Sequence, residues 1–326
     1  MALELKEKWL WDSWYIQHND IGHVIFLQAN RSLGDPELRH WHASIGHAIS
    51  TDLVNWEYLG TCFEPARGES WDNKTTWTGC IIDDDKGLFH LFYTGTSDKE
   101  NGLYQRIGHA ISKNLHDWKR VGNGFCLDLV GDNSDYYEVE HIKDKWHDRA
   151  MRDPWVIKNP NGSGWLMFFT ARASGITEAN AGGAIGLAKS EDLDHWQLQQ
   201  PVFTGVFGQL EVPQVFEWNN HWYLMFCNTP KDWSKHYIAQ YPGIPTTGTH
   251  YMLADSPLGP WQMAPGSFFD VDELHHRYAG HIIEHRGQHY LMGFENETEQ
   301  GFSGRLLDPV PVRVEPNGML KLYQKP

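Results

Sequence analysis

A repeat constrains this chain more than any other feature. IGHAISTDLVNW (Ile45 to Trp56), IGHAISKNLHDW (Ile107 to Trp118) and IGLAKSEDLDHW (Ile185 to Trp196) share one pattern, and YMLADSPLGPW (Tyr251 to Trp261) is a weaker copy. A unit that recurs along the whole length must stack on its own copies, so it decides fold class before any single residue does. Each copy opens with period-two alternation, passes through a turn rich in Ser, Asp or Gly, and closes on Trp. That reads as a strand, a tight turn and an outer strand.

A second element lies between the copies, two apolar strands around a polar turn. It occurs as GCIIDDDKGLFHLFYTG (Gly79 to Gly95), DPWVIKNPNGSGWLMFFTA (Asp153 to Ala171), PQVFEWNNHWYLMFCN (Pro213 to Asn228) and AGHIIEHRGQHYLMGFEN (Ala279 to Asn296). The turns carry the Asp, Asn and Gly that hairpins use. HVIFLQA (His23 to Ala29) supplies a similar strand near the start, and GRLLDPVPVRVEPNGMLKLY (Gly304 to Tyr323) supplies the last ones. Five units of roughly four strands, with few helical periodicities, predict an all-β, five-bladed β-propeller. No linker or composition shift divides residues 1–326, so one domain without a C-terminal β-sandwich is expected.

Composition narrows the function classes. A formal charge of −15 opposes binding to a nucleic-acid backbone. No apolar run is long enough to span a bilayer and no apolar leader is visible, so a cytoplasmic protein without membrane contact is expected. Cys62, Cys80, Cys126 and Cys227 stand singly, without metal-type spacing, and read as core residues in a reducing compartment. The excess is aromatic, with 16 Trp, 13 Tyr and 15 Phe, which suits strand cores and also walls on which sugar rings stack.

Propeller geometry brings the starts of innermost strands together at one axial end. Three carboxylates stand at such starts: Asp12 in WLWDSW, Asp153 in MRDPW and Glu211 in LEVPQVF, in blades one, three and four. Cleaving a glycosidic bond needs one carboxyl group to protonate the leaving oxygen and another, ionised, to attack the anomeric carbon or activate water. A third can hold ring hydroxyls. Trp9, Trp11 and Trp14 are expected to enclose the sugar.

At these residues the chain resembles known families. WDSW around Asp12 is similar to the nucleophile segment of glycoside hydrolase family 68, the levansucrases. RDP (Arg152 to Pro154) is shared by families 32 and 68, and EVP (Glu211 to Pro213) resembles the ECP acid segment of family 32, the invertases and inulinases. HAISTDLVNWE (His47 to Glu57) matches the family 32 blade-one motif, and WTGC (Trp77 to Cys80) sits where these families carry Trp-Ser-Gly. The resemblance implies a retaining β-fructofuranosidase: Asp12 the nucleophile, Glu211 the acid and then base, Asp153 the transition-state stabiliser. It implies substrate contacts at Trp11, Trp14, Gln28, Trp77, Thr78 and Arg152, and no metal or other cofactor. His281, in YAGHIIEH, resembles a histidine near the channel ion of the related family 43 and is placed with the substrate residues, an ion ligand being its alternative.

His47 and His109 share a repeat position that Leu187 and Leu253 fill later, so they read as packing residues. HIKDKWHD (His141 to Asp148) reads as a surface loop near the substrate mouth. The alternatives to hydrolysis of sucrose or short fructans are fructosyl transfer, an inverting family 43-like reaction on arabinose- or xylose-containing chains, and a non-catalytic carbohydrate-binding propeller. The expected partner is a small carbohydrate. Oligomeric state stays open, with a homodimer as one option.

Overall fold

The structure, a computed structural model, describes residues 2–130, 135–271 and 274–323. Its strands form five four-stranded antiparallel sheets, each following chain order. Blade 1 comprises β1 (Lys8–His18), β2 (Ile21–Asn30), β3 (Ser44–Ser50) and β4 (Glu57–Phe63). Blade 2 comprises β5 (Thr75–Asp83), β6 (Phe89–Thr96), β7 (Arg106–Ser112) and β8 (Lys119–Leu127). Blade 3 comprises β9 (Met151–Lys158), β10 (Trp165–Arg172), β11 (Gly183–Ser190) and β12 (Gln197–Thr204). Blade 4 comprises β13 (Glu211–Trp218), β14 (His221–Asn228), β15 (Gly248–Ala254) and β16 (Gln262–Met263); blade 5 comprises β17 (Arg277–His285), β18 (Gln288–Glu295), β19 (Val310–Val314) and β20 (Leu320–Leu322). The innermost strands contact one another in a cycle, β1 to β5 to β9 to β13 to β17 and back to β1. The result is the all-β five-bladed propeller, and the described residues contain no second domain.

The repeat builds the third strand of a blade and the turn after it. Its glycine is sterically required. Gly46, Gly108 and Gly186 sit directly opposite Phe26, Tyr93 and Phe169. A Cβ on any of them would lie 2.2–2.5 Å from the ring of that partner, so each aromatic side chain covers the bare glycine. In blade 4 Met252 faces Leu224 instead, which is why the fourth copy is weak. The turn leucines Leu53, Leu115 and Leu193 adopt φ of 62°, 64° and 69°, unusual for a branched side chain. Their burial offsets that strain, and Ser50 and Ser190 accept hydrogen bonds from the Leu53 and Leu193 amides at 2.9 Å. Blade 4 has Pro257 and Pro260 in this connector, and its outer strand shrinks to two residues.

The histidines of the repeat are cross-blade packing groups. His47 lies 2.9 Å from His23 within blade 1 and 3.2 Å from His116 of blade 2. His109 lies 2.8 Å from His90 and 3.4 Å from Asp194 of blade 3. The turn of one blade thus reaches the third strand of the blade before it. Ring closure uses the two ends of the chain: Leu3 bridges Leu306, Gly304 accepts from the Leu10 amide at 3.0 Å, and Arg31 donates to the Ser303 carbonyl at 2.8 Å.

Burial pushes His47 and His109 down to about 3 and His23 down to about 4. The unfolded chain therefore takes up protons first, and stability falls as pH drops below about 6.5 towards these values. Replacing His47 by leucine, the residue type that blades 3 and 4 carry there, removes one such group. The His47→Leu variant is expected to lose less melting temperature than the parent between about pH 7.5 and about pH 4.5. Thermal melts at the two pH values check this; an equal loss would refute it.

Candidate active site

Every innermost strand carries an irregularity at the same level. Trp11 and Asp12 face Leu27, Asp153 and Pro154 face Phe169, Val212 and Pro213 face Phe226, and Ala279 and Gly280 face Gly293; in β5 the register shifts at Thr78. One extra residue bends the strand and turns side chains that regular pleating would keep alternating. Asp153, Val212 and Ala279 take the left-handed conformation there, with φ of 56°, 51° and 49°. For a β-branched residue such as Val212 that is a strained geometry, costing on the order of 1–3 kcal/mol.

The bulges open onto a cavity of about 1100 Å³. Asp12, Asp153 and Glu211 all line it, so the three acids do converge, from the bulges or their edges rather than from strand heads alone. Asp12 Oδ2 accepts a hydrogen bond from Thr78 Oγ1 of the next blade. Asp153 Oδ2 accepts from Thr170 Oγ1 at 2.9 Å and from the Val212 amide at 3.1 Å, with Arg152 Nε at 3.5 Å. Glu211 Oε1 accepts from Arg152 Nη2 at 2.9 Å, and Oε2 accepts from Tyr278.

Burial and then the charge of Asp153 lift Asp12 to about 7, although Thr78 works against this. Burial lifts Asp153 to about 6, Arg152 pulling it down and Glu211 pushing it up. Such coupled acids share protons as a group. Near neutral pH the site therefore retains proton density among its carboxyl groups, which acid–base chemistry needs. Tyr278 is pushed well above its ordinary value by burial, Cys227 and Glu211, so its phenol remains a donor.

Of the remaining sequence-predicted residues, Trp11, Trp77, Thr78 and Arg152 line the cavity. Three do not. Gln28 is fully buried inside blade 1, donating to Thr61 at 2.7 Å and accepting from Tyr58 at 2.8 Å, because β2 turns it towards β4. Trp14 lies beyond the bulge, in the core opposite Ile25. His281 likewise follows the bulge of β17; it is buried against Trp155, with Nδ1 3.1 Å from the Ser13 carbonyl, where it braces blade 5 against blade 1. Trp9 also stays out of the cavity, packed at the seam where a Cβ on Gly304 would meet it at 2.6 Å.

Sequence reasoning missed Tyr278, which occupies in β17 the position of Glu211 in β13, one residue before the bulge. Aligning the five inner strands by register, rather than by the apolar run that followed, would have found it. It also missed the wall contributed by the short 3₁₀ segment Pro36–Trp41, with Arg39, His40 and Trp41, and its partner Phe302, whose ring lies 3.9 Å from the Arg39 guanidinium. His147 and Asp148, from the HIKDKWHD loop, do reach the cavity.

Comparison with known proteins gives the family of the chain and the relatives of its fold. The family model described as glycosyl hydrolases family 32 N-terminal domain matches residues 7–304. Raffinose invertase of Escherichia coli is 26% identical over 293 residues, 85% of this chain and 51% of that protein. Sucrose-6-phosphate hydrolase of Zymomonas mobilis is 29% identical over 201 residues, 57% of this chain and 34% of that protein. The chain thus spans about half, or less, of the length of these curated relatives. Inulosucrase from Halalkalicoccus jeotgali, solved bound to kestose, shares the fold with a TM-score of 0.78 at 22% identity, covering 98% of this chain and 87% of that one. With nearly its whole length matched by the family model, the chain belongs to glycosyl hydrolase family 32, of which it carries the N-terminal propeller domain.

Proposed function

We propose that this protein is a retaining β-fructofuranosidase that releases terminal fructosyl units from sucrose or short fructans through a covalent fructosyl-enzyme. The observation that carries the reading is the convergence of Asp12, Asp153 and Glu211 on one cavity, each in a different hydrogen-bonding environment. Family membership and the names of the relatives, an invertase and a sucrose-6-phosphate hydrolase, support the substrate class.

Each acid suits one role. Thr78 holds Asp12 by Oδ2, leaving Oδ1 to attack the anomeric carbon. Glu211 is fixed at both oxygens by Arg152 and Tyr278, and it hands a proton to the leaving oxygen before taking one from the incoming water. Asp153 accepts from ring hydroxyls and stabilises the positive charge that develops as the bond breaks. Trp11, Trp41, Trp77 and Phe302 present apolar faces to the sugar. Around them Asp12, Glu37, Asp148, Asp153, Glu211 and Glu297 outnumber Arg39, Arg152 and Lys231, a balance that favours a neutral sugar over a phosphorylated one.

Replacing Asp12 by asparagine is expected to lower kcat by roughly 10⁴-fold while sugar binding survives. Turnover of sucrose and of short fructans, with proton NMR following the configuration of the released fructose, checks both the nucleophile and the retention. Parent-like turnover by Asp12→Asn, with deamidation excluded, would sink the assignment.

Because folding raises the affinity of Asp12 for its proton, ionisation of that group costs stability as pH rises from about 4 through about 7. The Asp12→Asn variant should therefore be more stable than the parent at about pH 8, by on the order of 1–3 kcal/mol, with the advantage fading towards pH 4. Calorimetry across that range reads it.

The acid limb of kcat/KM reports the nucleophile's ionisation. Removing the Thr78 donor by Thr78→Val should move that limb to higher pH, and removing the repelling charge by Asp153→Asn should move it to lower pH in the residual activity. Shifts of the opposite sense would contradict the reading.

A further inference from the structure

Arg152 is held by a symmetrical pair of amides. Its Nη1 donates to Gln105 Oε1 at 3.2 Å and its Nη2 to Gln209 Oε1 at 2.5 Å. The other end of each amide meets a carboxylate: Gln105 Nε2 donates to Asp148 Oδ2 at 2.6 Å, and Gln209 Nε2 to Asp232 Oδ2 at 2.8 Å. Arg152, Gln105, Gln209 and Asp232 are all buried, and the Asp148 side chain is 11% exposed.

The chemistry of these groups leaves one consistent orientation. A guanidinium only donates and an ionised carboxylate only accepts, so an amide between them must turn its NH₂ to the carboxylate and its oxygen to the guanidinium. Each aspartate therefore sets the direction of its glutamine. Thr229 Oγ1, at 3.1 Å, holds Asp232 in turn, and His147 Nε2, at 3.2 Å, holds Asp148. The two Nη2 protons of Arg152 go to Gln209 and to Glu211, so tilting the guanidinium to satisfy one shifts the other. Among the described residues no hydrogen bond joins either aspartate to Glu211; Asp232 reaches Arg152 through its amide, and Asp148 does so both through its amide and as a direct ion pair, its Oδ2 lying 3.8 Å from Arg152 Nη1.

Resting on the reaction proposed above, we propose that Asp148 and Asp232 are positioning residues for Glu211: they orient Gln105 and Gln209, whose oxygens fix the Arg152 guanidinium, which holds the Glu211 carboxyl where it meets the leaving oxygen. The role differs from a purely structural one in a measurable way. A misplaced acid slows departure of a poor leaving group such as a sugar alkoxide, yet leaves a good leaving group, which departs without a proton, nearly untouched.

The test compares sucrose with an aryl β-fructofuranoside of an acidic phenol, the latter read as the first-turnover burst of phenol. Asp232→Ala and Asp148→Ala are each expected to lower kcat on sucrose by about tenfold or more, with KM within about threefold and the phenol burst within about threefold of the parent. Asp232→Asn and Asp148→Asn keep an amide oxygen that accepts from the same glutamine and should recover most of the loss. If an alanine variant does not fold, Gln209→Met or Gln105→Met severs the same link from its other side and is read identically. Variants slowed equally on both substrates, or parent-like on sucrose, overturn this inference alone. A parent that releases fructose from neither substrate overturns the β-fructosidase reading and this inference with it.

Discussion

The site depends on a constraint of ring closure. Five sheets can form a torus only if their innermost strands run side by side around one axis, and β1, β5, β9, β13 and β17 do so. Regular strands there would alternate their side chains and send every second one into the interior of a blade. The irregularity at a common level breaks this alternation, so that Asp12, Asp153 and Thr78, from three blades, can face the same space as Glu211 and Tyr278 just before their own bulges. Left-handed Asp153, Val212 and Ala279 show that the deformation is not free. A strained backbone at three successive blades is tolerated because the packed sheets on either side leave it no alternative path.

The same closure concentrates charge where burial makes it expensive. Asp12 and Asp153 are both lifted, chiefly by burial, and each is pushed further by a neighbouring acid. A fold selected for stability alone would put amides there. What keeps the cluster compatible with the folded state is the set of donors around it. Thr78 serves Asp12; Thr170, the Val212 amide and Arg152 serve Asp153; Tyr278 and Arg152 serve Glu211. Arg152 is shared between two of the acids, so its placement matters more than that of any single donor.

The fold was legible because two chemical signals repeat. Gly46, Gly108 and Gly186 each need a bare backbone under an aromatic ring, and Leu53, Leu115 and Leu193 each sit in a Ser- and Asp- or Asn-bonded turn; both demands write themselves into sequence at fixed offsets. The three acids were legible because they stand beside Trp, Pro and apolar strand residues. Gln28, Trp14 and His281 were misplaced for two different reasons. Period-two counting fixes the face of a side chain only along an uninterrupted strand, and an inner-strand bulge reverses the face of everything after it, as for Trp14 and His281. Gln28, on the regular strand β2, was assigned by resemblance and instead satisfies Thr61 and Tyr58 within blade 1. The wall from Arg39 to Trp41 and its partner Phe302 carries no periodic signal, since it is built by two connectors from opposite ends of the chain.

That wall ties the chemistry to the mechanical closure of the ring. The first and last blades share no sheet; they are joined by the Leu3–Leu306 bridge, by Arg31 on the Ser303 carbonyl, by Leu10 on Gly304 and by His281 on the Ser13 carbonyl. Asp12 sits next to Ser13 on the strand that receives the last of these bonds, and Arg39 reaches across the same seam to Phe302 above the cavity. Opening the seam would move the proposed nucleophile relative to Asp153 and Glu211, which belong to blades bound to each other by Val212 on Asp153 and Trp155 on Val215. The half of the site that holds the proposed proton donor is thus built within continuous chain, whereas Asp12 is held from two sides, by Thr78 of the following blade and by the seam between the two ends of the chain. In this propeller, closing the ring completes the support of Asp12 that Thr78 begins.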